Sequence, residues 1–438
     1  MNSWFKGILI FSVVVCLLSF GTLAWLAVKT TDVPEQSAKK SQAWDWVFQP
    51  TQVGQDAVTA ALDQAAAEAA RSVDELAERL QKLNSAPGVK ANELLLTFKS
   101  PEALRAFKER AAALGLKVLH DDERLLTARV GYTDPAAMAR ELRQNAADLD
   151  NIGLNYLAWV PGLPDLSQVD TANAGGTVPF GDSGLNAIGA ARDRRAWGTG
   201  TTVAVLDTGV TDHAMLDNSK ITHIDLVNDG EAPNGHGTAM TSLIAGVDAQ
   251  EGGVAPASQI LDIRVADTNG ESNTALVAEG IMRAVDEGAL VINISLGTTG
   301  DSAMLRKAID YAQDRGVIVV AAAGNEQQTA LAYPAGYEGV ISVAAVDAYG
   351  NQAIFSNSGE SLTIAAPGVG IVSAYADNRM VISSGTSQAT ALTSGVVSAM
   401  LGFGYSAESV TAALISNAKT TGAPKSQVGA GIVQIPQR

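Results

Sequence analysis

L-V-I-N-I-S-L (290–296), S-A-M-L-R-K-A-I-D-Y-A-Q-D-R (302–315) and V-I-V-V-A-A-A (317–323) follow one another directly in the chain. The outer two are apolar on successive residues, so both faces of each strand must be buried, and the middle one is a helix. The same kind of strand recurs at T-V-A-V-L-D (202–207), Q-I-L-D-I-R-V (259–265) and V-I-S-V-A-A-V (340–346), with a further helix over Asn273–Glu287. Strands buried on both sides and alternating with helices predict an α/β fold, a parallel sheet covered by helices on both faces. That unit runs from about residue 184 to 438. No internal repeat interrupts it.

The chain has 438 residues, which predicts two or three domains. A hydrophobic content of 47% supplies ample core. The net charge of −16 speaks against nucleic-acid binding, which needs a basic face. The single cysteine, Cys16, rules out an intramolecular disulfide, a thiol nucleophile in the globular part and a cysteine metal site. It lies in a charge-free run of about 22 residues, Gly7 to Val28, flanked by Lys6 and Lys29. The run exceeds a signal-peptide core, and A-V-K-T-T offers a poor cleavage site, so residues 1–29 are expected to be an uncleaved transmembrane anchor.

Residues 30–91 are expected to hold a linker and then a helix. Val58, Leu62, Ala65, Ala69, Val73, Leu76, Leu80 and Leu83 recur at spacings of three and four. The stripe fits a coiled coil or a helix lying against its own neighbouring domain. Residues 92–160 follow the order β-α-β-β-α-β: a strand at Glu93–Lys99, a helix capped by Ser100, strands at Leu116–His120 and Leu125–Tyr132, a helix opened by Asp134-Pro135, and a strand at Tyr156–Val160. This is a ferredoxin-like pattern with no function of its own. Residues 161–183, rich in Gly, Pro, Asp and Ser, form a connector.

Three short motifs carry chemistry. Asp207 closes a strand in V-A-V-L-D-T-G (203–209), where a carboxylate can orient an imidazole. His236 sits in N-G-H-G-T-A-M (234–240) at a helix start with little steric cover, suited to a general base. Ser387 lies in S-S-G-T-S-Q-A-T (383–390) at the start of an apolar helix, whose free N–H groups favour a developing oxyanion. Alone, each has a plainer reading: a strand-end turn, a helix start, an N-cap cluster. Of the other histidines, His120 lies in the small domain, and His213 and His223 lack such a setting and read as structural.

Together, in the order Asp, His, Ser, the motifs resemble those of the subtilisin-like serine peptidases and not the chymotrypsin or α/β-hydrolase order. The resemblance implies a catalytic triad of Asp207, His236 and Ser387, with Asn325 of V-V-A-A-A-G-N-E (319–326) as side-chain donor of the oxyanion hole. Ser295, Leu296 and Gly297 resemble the family's substrate-aligning strand, which pairs with the peptide main chain. Ala322, Ala323, Gly324 and Ala332 resemble the walls and floor of the pocket for the residue before the scissile bond. Ala332 stands where glycine is common, so medium apolar side chains are expected there in preference to large aromatic ones. The domain at 92–160 resembles the family's inhibitory propeptide, bound in cis, and V-P-F-G (178–181) the opening of many mature domains.

The resemblance has departures. Gln388 and Ala391 stand where relatives usually carry Met and Pro. The loop at 247–256 is shorter than the family's calcium loop and lacks its run of ligands. Calcium therefore stays open, no metal residue is named, and no organic cofactor is implied. The expected protein is a membrane-anchored serine endopeptidase with an extracytoplasmic catalytic domain, made as a zymogen and acting on protein or peptide substrates. Two rivals stay open: a transpeptidase on the same scaffold, and a non-catalytic peptide-binding subunit.

Overall fold

The computed structural model describes residues 73–160, 177–248 and 252–437. These all belong to one compact unit, 49–438. The anchor expected over 1–29, the linker after it and the helix before residue 73 lie outside the described residues, as does most of the connector. Among the described residues no helix is long and apolar enough to cross a membrane.

The smaller part of the fold begins with α1 (Val73–Leu83), whose Leu76 and Leu80 are buried in the same core as the strands that follow. Then come β1 (Val89–Phe98), α2 (Pro101–Ala111), β2 (Leu116–Asp122), β3 (Thr127–Tyr132), α3 (Pro135–Gln144) and β4 (Leu149–Trp159). The helix starts are local chemistry. Ser100 and Asp134 accept hydrogen bonds from the amides of Ala103 and Ala136, and a proline occupies the first turn of each helix. The strands pair antiparallel in the order β2-β3-β1-β4.

The larger part holds β5 (Thr202–Asp207), β6 (Ile221–Asp225), α4 (His236–Ala245), β7 (Gln259–Arg264), β8 (Glu271–Asn273), α5 (Thr274–Asp286), β9 (Val291–Ile294), α6 (Ala303–Gln313), β10 (Ile318–Ala322), β11 (Ile341–Val346), β12 (Ile364–Pro367), the hairpin β13 (Ile371–Tyr375) and β14 (Arg379–Ser383), α7 (Thr386–Gly402) and α8 (Ala407–Asn417). Seven strands form a parallel sheet in the order β12-β11-β10-β9-β5-β7-β6. Successive residues of β9 and β10 point to opposite faces and all are buried, so both faces are covered. Every residue of α4 is buried, as is α7 from Thr386 to Met400, which is why neither shows an apolar stripe.

The short β8 and the hairpin β13–β14 escape the sequence reading, and so do β6, β12 and the first half of β4. β6 is an exposed edge strand with polar alternation, and β12 is four residues ending in proline. β4 starts at Leu149, well before the expected Tyr156; Asp150, Asn151, Gly153 and Asn155 hide it, being poor strand formers.

β4 also joins the two parts. Leu157, Ala158 and Trp159 pair antiparallel with Asn273, Ser272 and Glu271 of β8. On its other side Trp159 exchanges hydrogen bonds with Gly297, 3.0 and 3.2 Å, and the Val160 amide donates to the Gly270 carbonyl at 2.8 Å.

Candidate active site

Asp207, Ser295 and Asn325 leave the carboxyl ends of β5, β9 and β10, three neighbouring strands. That is where an open parallel sheet places its ligands. The N-termini of α4 and α7 supply His236 and Ser387.

The D-T-G and G-H-G motifs interlock. A Cβ on Gly237 would stand 2.4 Å from the Gly209 carbonyl oxygen, so only glycine lets the start of α4 lie this close to the end of β5. The Gly235 residue before the histidine caps the helix at φ 102°, in the left-handed region open to glycine. His236 Nδ1 lies 2.8 and 2.9 Å from the two Asp207 oxygens, and both side chains are buried. A carboxylate only accepts, so Nδ1 carries the proton that faces Asp207 and Nε2 is left to accept. The Thr208 amide donates to Asp207 Oδ1 at 2.7 Å and fixes the carboxylate from the other side.

Ser387 is the second residue of α7. Its hydroxyl donates to the Ser295 carbonyl at 3.1 Å, and the Ser295 hydroxyl donates back to the Ser387 carbonyl at 3.4 Å. The hydroxyl is thus parked on Ser295 and makes no hydrogen bond with His236.

Asn325 has its amide orientation set by the Thr386 amide, which can only donate. Its Oδ1 accepts from the Thr386 amide at 2.9 Å and the Thr386 hydroxyl at 3.0 Å. The two N–H groups of Nδ2 are therefore the ends left to donate, beside the helix start that offers the Ser387 amide. Two donors converging there are what a developing oxyanion needs.

The pocket residues also come together. The Ala332 amide donates to the Ala323 carbonyl at 2.9 Å, and the Gly324 amide to the Thr386 hydroxyl at 3.3 Å. A Cβ on Gly297 would meet the Ala332 methyl at 2.9 Å, so the 295–297 segment and the 322–332 walls adjoin. Leu296, Ala322 and Ala323 are buried.

Outside the site, His213 is held by the Arg379 carbonyl and the Met215 amide. His223 pairs with Asp262 at 2.8 Å, and that hydrogen bond raises its pKa. Among the described residues no cluster of three or more His, Cys or acidic side chains could hold a metal ion.

Asn293 is a functional neighbour the sequence reading passed over. Its Nδ2 donates to the Ser295 hydroxyl and its Oδ1 accepts from Ser394 of α7, each at 2.9 Å, seating α7 on β9. The available signal was an amide inside an otherwise apolar strand, V-I-N-I.

The profile of the subtilase family matches residues 198–431. The chain is 39% identical over 256 residues to the thermostable alkaline protease of Halalkalibacterium halodurans, covering 57% of this chain and 70% of that protein. It is 39% identical over 235 residues to thermitase of Thermoactinomyces vulgaris, covering 51% of this chain and 84% of that one. M-protease of Shouchella clausii is 32% identical over 308 residues, 69% of this chain and 79% of its own. The crystal structure of fervidolysin from Fervidobacterium pennivorans, a keratinolytic enzyme related to subtilisin, superposes with a TM-score of 0.66 at 24% identity. That match covers 79% of this chain and 60% of fervidolysin, and it speaks for the fold alone.

Proposed function

Because the chain belongs to the subtilase family and is a subtilisin-like serine endopeptidase, we propose that Asp207, His236 and Ser387 are its catalytic triad and that it is made as a membrane-anchored zymogen. The observation that carries the triad is the doubly bonded Asp207–His236 pair, with Nε2 left free as base.

In this reaction a bound peptide draws the Ser387 hydroxyl from Ser295 to His236 Nε2. The oxygen attacks the scissile carbonyl while Nε2 takes its proton. Asp207 holds the imidazolium. Asn325 Nδ2 and the Ser387 amide receive the oxyanion. The tetrahedral intermediate collapses, His236 gives the proton to the leaving amine, and water repeats the sequence on the acyl-enzyme. The side chains of Asp207, His236, Ser387 and Asn325, together with the Ser387 amide and a water, perform these steps.

The zymogen reading covers residues 92–160 as a ferredoxin-like propeptide, with α1 packed onto it, and 184–438 as the catalytic domain. Its support is the docking of β4. Trp159 pairs with Gly297 of the segment assigned to substrate alignment, and Val160 pairs with Gly270. A strand there occupies the place of a substrate by β-addition. Residues 1–29 anchor this zymogen in the membrane, with the catalytic domain extracytoplasmic, and a cut within the connector frees the enzyme from its anchor.

Intact mass of the full chain beside Ser387→Ala tests this. We expect the wild type alone to split between residues 160 and 184 and to leave the membrane fraction. If both proteins stay whole and membrane-bound, the self-processing zymogen is wrong. A wild type that also fails to cleave peptides removes the triad assignment with it.

A further inference from the structure

Asn234, two residues before the catalytic histidine, makes three side-chain hydrogen bonds to three different segments. Its Oδ1 accepts from the His236 amide at 2.9 Å and from the Thr208 hydroxyl at 3.0 Å. Its Nδ2 donates to the Thr268 carbonyl at 3.1 Å. The first two partners belong to the start of α4 and to the residue after Asp207.

The third belongs to a different structure. Thr268 lies in the tight turn 267–271, which Asp267 organises. Asp267 Oδ1 accepts from the Asn269 and Glu271 amides, each at 2.8 Å, and the Asp267 amide donates to the Glu271 carbonyl at 2.9 Å. The same turn offers the Gly270 carbonyl to Val160 and runs into β8, which pairs with residues 157–159. At its base the turn is tied to the triad by the Val265 and Ala266 amides, which both donate to the Asp207 carbonyl, at 2.8 and 3.1 Å. At its tip the side chain of Asn234 makes the tie.

We propose that Asn234 is a positioning residue that couples occupancy of the 270–273 edge by a peptide strand to the placement of His236. This rests on the triad reading above. A strand paired along 270–273 fixes the turn. The turn fixes the Asn234 amide through Thr268, and the Asn234 oxygen fixes the backbone of His236 and the Thr208 hydroxyl. A peptide long enough to pair along the edge therefore meets a better-held base than a short substrate does. A displacement of the base by about 1 Å is enough to cost about 10²-fold in rate.

Two variants divide the tie. Asn234→Asp keeps an oxygen for His236 and Thr208 but sets a second oxygen against the Thr268 carbonyl. Asn234→Ala removes both halves. The full chain is purified, left to cut itself and freed of residues 73–160, and kcat and KM are then measured on a single-residue acyl ester and on a peptide extended three residues further on the acyl side. Labelling of Ser387 by a small fluorophosphonate is followed in parallel.

For Asn234→Asp we expect a smaller fall in kcat on the ester than on the peptide, with loss of the gain in kcat that the longer peptide brings. For Asn234→Ala we expect a fall in kcat on both substrates, steeper on the peptide and reaching about 10²-fold. If the aspartate variant loses the same factor on both substrates, or keeps the full gain with length, the coupling is absent and Asn234 is only a local cap. Wild-type chain that resists the fluorophosphonate as Ser387→Ala does would refute the triad reading, and the coupling with it. Wild-type labelling with no length-dependent difference in the variants overturns the coupling alone.

Discussion

The two parts of the fold use buried polar groups for different ends. In the larger one they lie deep inside. Asn293 bridges Ser295 and Ser394, and Ser398 of α7 hydrogen-bonds both Thr201 and Ser258. These bonds fix the axial setting of α7, the helix that presents Ser387. The core of the smaller part is built mainly from Leu, Phe, Ala, Val, Ile, Met and Tyr side chains, with Thr97, Thr127 and Glu141 also buried in this part. Its buried amide, Asn155, faces the seam with the larger part instead. Apolar packing is enough to hold a small sheet and its helices, but it tolerates sliding. Directional bonds set a register, and these two sets lie where register matters: along the helix that presents Ser387 in one part, along the strand paired with β8 in the other.

Breaking the polar set of the larger part is expected to show in rate. Asn325→Ala removes one oxyanion donor and also frees the Thr386 amide and hydroxyl that Asn325 Oδ1 now accepts. On the scale known from subtilisin, loss of this donor lowers kcat by about 10²–10³. KM should change little, because the donor acts on the charge of the transition state. Steady-state kinetics on a peptide amide measures it. A kcat within a few-fold of wild type would mean that Nδ2 does not face the oxyanion.

Breaking the polar set of the smaller part is expected to show in docking. Asn155 Oδ1 accepts from the Thr274 hydroxyl and the Ala275 amide, each at 3.1 Å, and so satisfies the first turn of α5 from outside. Its Nδ2 donates at 2.7 Å to Glu93, which Arg129 grips with two nitrogens at 2.7 and 2.9 Å. Asn155→Ala leaves this buried set incomplete, at a cost of about 1–3 kcal/mol. The peptidase activity of the uncut chain should rise, and after cutting the 73–160 part should separate faster on gel filtration. Unchanged activity and co-elution would assign the hold to the backbone pairing at 157–160 alone.

How far the sequence could be read follows the same division. Apolar strands buried on both faces announce themselves, so β5, β7, β9, β10 and β11 are legible. Asp207, His236 and Ser387 sit in glycine-bearing motifs because helices and strands must approach closely there, as Gly237 does to Gly209. What stays hidden is polar and non-local. Asn155 has partners 62, 119 and 120 residues away, and Asn234 reaches across 34 residues to Thr268. Nothing in the local pattern distinguishes these amides from turn residues. β4 is hidden for the same reason, since its poor strand formers are paid for by bonds from elsewhere in the chain.

Gln388 sharpens the comparison at its smallest scale. It follows the nucleophile, is buried, and stands where subtilisin-like relatives usually carry methionine. Its Nε2 donates to the Ser383 hydroxyl at 2.8 Å, but its Oε1 is buried without a partner. An orphaned buried acceptor costs about 1–3 kcal/mol, while the one bond made returns about 0.5–1.5. Methionine has nearly the same reach, no polar end and enough flexibility to fill the space. Gln388→Met should therefore stabilise the larger part by up to about 1 kcal/mol, raising Tm by about 2–4 °C for a domain of this size. Differential scanning calorimetry on the Ser387→Ala background, where self-cleavage cannot interfere, measures it. A lower Tm would mean that a bound water satisfies Oε1, and that this polar group, like Asn293, helps set the register of α7.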